Sequence, residues 1–145
     1  MEDPHNLEIH PALTSLSEDE IMFQEAIRAF ALAEIEPLVN KMESDQQIHP
    51  NLIGKIFEMG FMGIEIAEEY GGSQSNFFNS ILLIEEISKI DPSVAILIDV
   101  QNTLVNNALC KWGSEEVRSR YLPKLTSEWI GAYALSESGS GSDAF

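Results

Sequence analysis

The strongest constraint on the fold of this chain is a series of helix start and stop signals that divides most of its length into helices. The clearest start signal is LSEDEI, residues 16–21. Ser17 and Glu20 form a capping box, in which each side chain satisfies a free backbone N–H group of the first turn. Leu16 and Ile21 lie at the positions of a hydrophobic staple. The apolar residues that follow share one helical face: Phe23, Ile27, Phe30 and Ala31.

Proline and glycine residues mark the next boundaries. Pro37 lacks a backbone donor and is expected to kink or end the first helix, which residues 38–42 continue after the kink. Pro50 suits the first position of a second helix that runs to Met59, and Gly60 suits the left-handed position after its end. The apolar residues of this helix are expected to face inward: Leu52, Ile53, Ile56 and Phe57.

A third helix is predicted after a turn at residues 71–72, where two glycines are adjacent. It runs from about Asn76 to Ile90 and is apolar on most of its circumference. A helix of this kind usually lies inside a bundle, so we expect a central position for it.

A fourth helix begins at Asp91, a good N-cap, and Pro92, a good first helical residue. It is predicted to run towards Trp112, with Gly113 as its stop. The β-branched run VAILI, residues 94–98, is also compatible with a buried strand. We favour a helix because the apolar pattern continues past the length of a strand.

A fifth helix starts at Ser114, with Glu115 and Glu116 placed favourably for the helix dipole in its first turn. Pro123 is predicted to follow its end. Residues 129–135, WIGAYAL, are rich in aromatic and apolar residues without a helical period, which predicts a buried strand or an extended segment.

The charge of the chain argues against two classes of partner. Lys and Arg number 8 and Asp and Glu number 24, giving a formal net charge of -16 over 145 residues. Such a surface repels the phosphates of nucleic acids and anionic lipid headgroups, so we expect neither nucleic-acid nor membrane binding. An anionic ligand would depend on backbone N–H groups, hydroxyls and helix dipoles.

No metal site or catalytic group is predicted from the titratable residues. The single cysteine, Cys110, lies on an apolar helix without a nearby histidine, and the three histidines are scattered, which predicts a reduced intracellular compartment and no metal. Glu85 and Glu86 are adjacent on the third helix, with Lys89 one turn later. We interpret them as surface ion pairs rather than as a general acid and base.

The carboxyl-terminal stretch SESGSGSDAF, residues 136–145, is open to two interpretations. Gly139 and Gly141 alternate with serines, which allows left-handed backbone conformations and turns successive N–H groups and hydroxyls towards one point. That arrangement suits an anion, although no lysine or arginine lies in the stretch. A Gly/Ser run is also typical of a flexible linker.

Residues 133–144, YALSESGSGSDA, closely resemble the flavin loop of the acyl-CoA dehydrogenases, an aromatic residue followed by Thr or Ser, Glu and a Gly-x-Gly-Ser-Asp run. Ser138 stands where the family commonly has Pro or Ala, and Ser140 where it commonly has Ala. Other stretches agree with the family in order and spacing: FMGIEIAEEYGG, ILLIEEISKIDPSVA, QNTL and KWGSEEVRSRYLPKLTS. The resemblance runs from about Leu16 to the last residue and is greatest to the short/branched-chain subfamily.

The resemblance implies an all-α fold, the N-terminal helical domain of the acyl-CoA dehydrogenases, followed by the first strand and flavin loop of a β-domain. We divide the chain into an N-terminal extension at 1–15, the helical domain at 16–128 and the start of the β-domain at 129–145. The rest of the family's β-domain and its C-terminal helical domain, which carries the catalytic glutamate, have no counterpart here. We therefore expect an N-terminal fragment that is inactive alone and contains no catalytic residue.

The resemblance also implies a reaction and a cofactor. In the family, a base removes the α-proton of an acyl-CoA thioester while a β-hydride passes to FAD, which gives a trans-2-enoyl-CoA. Tyr133 would lie along the flavin, with Leu135 and Ser136 near its pyrimidine edge. Gly141 and Ser142 would face the pyrophosphate, and Ser142 would also contact the pantetheine arm of the substrate.

The helix through Ile98, Val100 and Leu104 resembles the element that lines the acyl pocket of the family. The implied partners are an acyl-CoA substrate and an electron-transfer flavoprotein, in a homotetramer. The implied compartment is the mitochondrial matrix in a eukaryote or the cytoplasm in a bacterium. The helical pattern and the charge fit equally well an acidic protein-interaction module with a disordered Gly/Ser tail, which would give WIGAYAL no role.

Overall fold

The computed structural model of this chain describes residues 15–143, and these residues form packed helices with no β-strand. Residues 1–14, and with them nearly all of the predicted extension, lie outside the described residues, as do Ala144 and Phe145. The α-helices are α1 (Glu18–Phe30), α2 (Val39–Asp45), α3 (Pro50–Glu58), α4 (Phe77–Ser88), α5 (Pro92–Asp99), α6 (Asn107–Trp112) and α7 (Glu115–Ser127). The π-helical segments are Ala31–Ile35 and Val100–Asn106, and 3-10 turns cover Glu36–Leu38, Phe61–Gly63 and Glu68–Tyr70.

The first helix begins with the predicted capping box. Ser17 Oγ accepts the Glu20 N–H at 3.3 Å, and Glu20 Oε2 accepts the Ser17 N–H at 2.7 Å. After α1 the chain stays helical through the first π-helical segment, and Pro37 lies in the 3-10 turn that leads into α2. The predicted continuation of helical structure past Pro37 is therefore confirmed.

Glycines end the next elements as predicted. α3 starts at Pro50, and Gly60 adopts a left-handed conformation with a φ of 73°. Gly71 does the same at 81°, in the turn before α4. These two positions require positive φ, which glycine adopts without the strain that a Cβ atom would add.

The two apolar helices form much of the core. Leu83 and Ile87 of α4 and Val94 and Ile98 of α5 are fully buried in one core cluster, in which α4 packs against both α1 and α5. The prediction of a central α4 holds for one side only, because Phe77 and Ile81 are exposed on the other. The fourth predicted helix runs from Pro92 to Trp112 as α5, the second π-helical segment and α6, so the strand alternative is wrong.

The last helix extends further than the sequence predicts. Ser114 caps α7, but the helix continues through Pro123 to Ser127, so the predicted end is wrong. Pro123 costs the helix a backbone hydrogen bond. Leu122 and Leu125 are buried on either side of it, and Thr126 Oγ1 donates to the carbonyl of Tyr70 at 3.0 Å. We attribute the continuation of the helix to this packing.

Candidate functional site

The segment after α7, residues 129–135, forms neither a helix nor a strand among the described residues. The strand predicted as one alternative for WIGAYAL is therefore absent there, and the predicted burial is wrong, because Trp129, Ile130, Tyr133 and Leu135 are about half exposed. Another protein surface would have to pack against these apolar side chains to remove them from water.

Gln101 anchors the start of this segment. Its side chain is fully buried in the second π-helical segment. Gln101 Nε2 donates to the carbonyls of Leu125 at 2.7 Å and Trp129 at 3.0 Å. Gln101 Oε1 accepts the N–H of Gly131 at 2.7 Å. The interaction-module interpretation gives residues 129–131 no structural role, whereas here a buried amide fixes them.

Asn102 and Asn106 act similarly on the turn after α3. Asn102 Oδ1 accepts the Ile64 N–H at 3.1 Å, and its Nδ2 donates to the Phe61 carbonyl at 2.8 Å. Asn106 Nδ2 donates to the Met62 carbonyl at 2.8 Å. A π-helical stretch widens the turn, and such stretches often occur at functional sites. Sequence reasoning missed these amides, although polar residues interrupting an apolar helix were the available signal.

All the predicted cofactor-binding residues lie in one exposed terminal segment. Tyr133, Leu135, Ser136, Gly141 and Ser142 are each exposed. The backbone and hydroxyl groups of this segment are therefore open to solvent.

A tight turn shapes the middle of this segment. Glu137 and Ser140 exchange backbone hydrogen bonds of 2.8 and 3.2 Å. The turn closes without positive φ at Gly139 or Gly141, so the predicted left-handed conformations are wrong for these residues in this conformation. The added Cβ of either residue would meet no atom within 4 Å.

The donor groups of this turn fit an anionic ligand. The Gly141 N–H donates to a carboxylate oxygen of Asp143 at 3.2 Å, and Ser140 Oγ donates to the carbonyl of Asp143 at 2.9 Å. A phosphate oxygen is the same kind of acceptor as that carboxylate oxygen. An incoming phosphate would therefore have to replace the Asp143 carboxylate at the Gly141 N–H, and the donors of this turn, backbone N–H groups and hydroxyls, are of the kind that can bind a diphosphate.

The three residues named on the helix that resembles the acyl-pocket element differ in their exposure. Ile98 belongs to the buried core. Leu104 is exposed and Val100 is half-buried. An apolar groove of about 360 Å³ runs beside them between α4 and the second π-helical segment. Its lining residues are Phe77, Ser80, Ile81, Ile84, Glu85, Asp99 and Thr103.

The adjacent glutamates of α4 have different roles. Glu85 is exposed and pairs with Lys89 at 3.1 Å, as predicted. Glu86 is buried, so its interpretation as a surface residue is wrong. It accepts from Arg28 Nε at 3.0 Å, from Arg28 Nη2 at 3.2 Å and from Lys89 Nζ at 2.6 Å.

These hydrogen bonds decide the charge of Glu86. The bonds from Arg28 first, and then the contacts with Lys89, lower the pKa of the Glu86 carboxyl, against the effect of its burial. The carboxylate stays ionised and fully engaged in structural contacts, which agrees with its exclusion as an acid or base.

The remaining reactive groups of residues 15–143 are a half-buried cysteine and scattered potential metal ligands. Cys110 is half-buried, and burial raises the pKa of its thiol. Among residues 15–143, no group of three metal-binding side chains lies together. No helix in the same range is long and apolar enough to span a membrane.

Comparison with known proteins identifies the family to which this fold belongs. Residues 17–128 match the family model for the acyl-CoA dehydrogenase N-terminal domain. The chain is 44% identical over 133 residues to the short/branched chain specific acyl-CoA dehydrogenase, mitochondrial, of Rattus norvegicus, with 92% of this chain and 31% of the relative covered. The chain thus spans about a third of the length of that relative.

Two solved structures share the fold. The acyl-CoA dehydrogenase from Geobacillus kaustophilus matches with a TM-score of 0.82 and 35% identity, covering 89% of this chain and 34% of that one. A structure described as an electron transferring flavoprotein of Acidaminococcus fermentans matches with a TM-score of 0.83 and 32% identity, covering 90% and 34%. The family match over residues 17–128 and the shared helical fold agree: this chain belongs to the acyl-CoA dehydrogenase family.

Proposed function

We propose that this chain supplies the N-terminal helical domain and the flavin loop of an FAD-dependent enzyme that oxidises short or branched-chain acyl-CoA thioesters to trans-2-enoyl-CoA. One observation carries the proposal. The exposed donor-rich turn at residues 137–143 follows directly on a helical domain that matches the acyl-CoA dehydrogenases over residues 17–128. The branched-chain preference is supported by the similarity to the short/branched chain specific enzymes.

In this proposal the terminal segment holds FAD. Tyr133 lies along the flavin, and Leu135 and Ser136 face its pyrimidine edge. The N–H of Gly141 and the hydroxyl of Ser142 donate to the pyrophosphate. Because no cation lies in residues 133–143, amide and hydroxyl dipoles carry the whole of the local stabilisation of that charge.

The same segment orients the substrate. Ser142 donates to the pantetheine arm, and the apolar surface of Val100 and Leu104 receives the acyl tail. A bound flavin would supply the acceptor for the β-hydride that leaves as the α-proton is removed. In this proposal the base is the catalytic glutamate of the family's C-terminal helical domain, and Glu85 and Glu86 on α4 are engaged in ion pairs.

The proposed partners follow from the same function. An electron-transfer flavoprotein would reoxidise the cofactor, and the enzyme would act as a homotetramer. It would lie in the mitochondrial matrix of a eukaryote or in the cytoplasm of a bacterium. The exposed apolar side chains of Phe77 and Ile81 support contact with further protein, because the exposure of apolar surface to water is unfavourable.

Anaerobic spectroscopy of the purified gene product that carries this sequence tests the proposal. We expect a yellow protein whose visible flavin absorbance bleaches when a short branched acyl-CoA is added, and bleaches less with a long straight-chain acyl-CoA at equal concentration. A colourless product that does not take up added FAD would refute the proposal and favour the interaction module.

A further inference from the structure

Gln101 is the one side chain in the described structure that connects the end of α7, the start of the terminal segment and the second π-helical segment. Its amide makes three hydrogen bonds of 2.7, 3.0 and 2.7 Å, to Leu125, Trp129 and Gly131. Both ends of the amide are therefore used, with the nitrogen as donor and the oxygen as acceptor. A buried amide satisfied in this way fixes the position of its partners, because any displacement leaves buried polar groups unpaired.

A second contact fixes the same point of the segment. A Cβ atom added to Gly131 would lie 2.4 Å from Val105 Cγ1 and 3.0 Å from its Cγ2. The backbone of Gly131 therefore lies directly on a β-branched side chain, which has little rotational freedom. Only glycine allows this approach. Gln101 and Val105 both lie in the second π-helical segment, so one element sets the distance and the register of the backbone at Gly131.

This element also carries Val100 and Leu104, the residues that face the acyl tail in the proposed function. Tyr133 lies two residues beyond Gly131 and thus within about 7 Å of it along an extended chain. We infer that Gln101 is a positioning residue, which sets the flavin segment relative to the acyl-facing surface through the carbonyl of Trp129 and the N–H of Gly131. The catalytic consequence of this inference rests on the proposed function. The clamp, by which we mean the three hydrogen bonds of the Gln101 amide, does not rest on it.

Two variants of Gln101 separate its hydrogen bonds from its volume. Gln101→Met keeps the length of the side chain and removes all three bonds, and Gln101→Glu keeps the acceptor for Gly131 but removes the donors. Asn106→Leu is the matched control, because Asn106 is also a fully buried amide of the second π-helical segment and bonds Met62 instead of the terminal segment.

The first measurement is hydrogen exchange of the 145-residue chain at the Gly131 amide. Exchange there should be roughly five- to tenfold faster in Gln101→Met and nearer to the wild-type rate in Gln101→Glu. Asn106→Leu should leave it unchanged after correction for global stability. Equal rates at Gly131 in the wild type and Gln101→Met would overturn the clamp.

The second measurement uses the gene product that carries this sequence, loaded with FAD. Gln101→Met should lower kcat for a short branched acyl-CoA at least roughly tenfold and shift the visible circular dichroism of the flavin, with a smaller change in KM. Asn106→Leu should change neither. Gly131→Ala moves the segment without altering Gln101, and should reproduce the effect of Gln101→Met on the flavin spectrum.

The outcomes distinguish this inference from the proposed function. A wild-type protein without flavin or activity would refute the proposed function, and the exchange at Gly131 would still test the clamp. A flavin-loaded wild type whose kcat and flavin spectrum are unaffected by Gln101→Met would leave the proposed function standing and would overturn the positioning role.

Discussion

Neutralising Glu86 tests the reasoning about buried charge in this fold most sharply. The side chain of Glu86 is 1% exposed and receives hydrogen bonds from two nitrogens of Arg28 and from Lys89. Glu86→Gln keeps the shape of the side chain and removes its charge. The variant therefore isolates the electrostatic part of the interaction.

The expected loss follows from these three contacts. A hydrogen bond to an ionised acceptor is about twice as strong as a neutral one, which amounts to an extra ~1 kcal/mol for each contact. The exposed Arg28 and Lys89 side chains reduce this sum, as does the lower desolvation cost of the neutral amide. We expect Glu86→Gln to lower the free energy of unfolding by about 2 kcal/mol at neutral pH.

The pH dependence of stability provides a second, independent test of this prediction. The pKa of Glu86 is lowered from its ordinary value of 4.5 in the folded chain. Its stabilising contribution is therefore present above that value and is lost as the pH falls through the lowered folded pKa. The gap between the wild type and Glu86→Gln should close in strong acid, where protonated Glu86 and glutamine resemble each other.

Urea unfolding followed by circular dichroism, at neutral and at acid pH, measures both effects. Glu85→Gln is the control, because Glu85 lies next to Glu86 but is exposed with Lys89 as its only ionic partner among the described residues. It should change stability little. Equal stability of Glu86→Gln and the wild type at neutral pH, or a gap that persists unchanged in acid, would refute the reasoning.

Three further predictions concern the helices that present the site. Asn102→Leu should lower the free energy of unfolding by about 2–4 kcal/mol, measured by urea unfolding, because it leaves buried backbone groups unpaired; a loss below that of an ordinary surface variant would contradict this. Gly71→Ala should lower the free energy of unfolding by about 1 kcal/mol because of the φ of 81° at Gly71. Gly54→Ala, in open helical surroundings, should be neutral or stabilising, and thermal unfolding compares the two variants. Ser17→Ala should lower the free energy of unfolding by about 1 kcal/mol and speed amide exchange in the first turn of α1. Unchanged exchange there would argue against the cap.

The helix boundaries were predictable because their causes are local. The Ser17 capping box, the left-handed Gly60 and Gly71, and the pair of Asp91 with Pro92 each act within one turn of the chain. Pro123 shows the limit of such signals. Its local cost is outweighed by long-range packing of α7, and a single sequence does not display that packing.

Gly141 and Ser142 remain predicted site residues, from the Gly/Ser stretch and its resemblance to a flavin loop, and the structure places both on an exposed turn. The clamp by Gln101 was not foreseen, because its partners lie 24 to 30 residues away along the chain. Glu86 was misplaced on the surface for the same reason, since Arg28 lies 58 residues from it.

The central claim is that the N–H of Gly141 and its neighbours bind the diphosphate of a flavin, and a pair of glycine variants measures this most directly. Gly139 and Gly141 both have open space for a Cβ atom and neither has a positive φ, so Gly139→Val and Gly141→Val should fold alike. FAD titration of the apoprotein form of the gene product, followed by flavin fluorescence, compares their affinities. We expect Gly141→Val to bind FAD at least roughly tenfold more weakly than the wild type, and Gly139→Val to remain close to it. Equal affinity of Gly141→Val and the wild type would contradict the account.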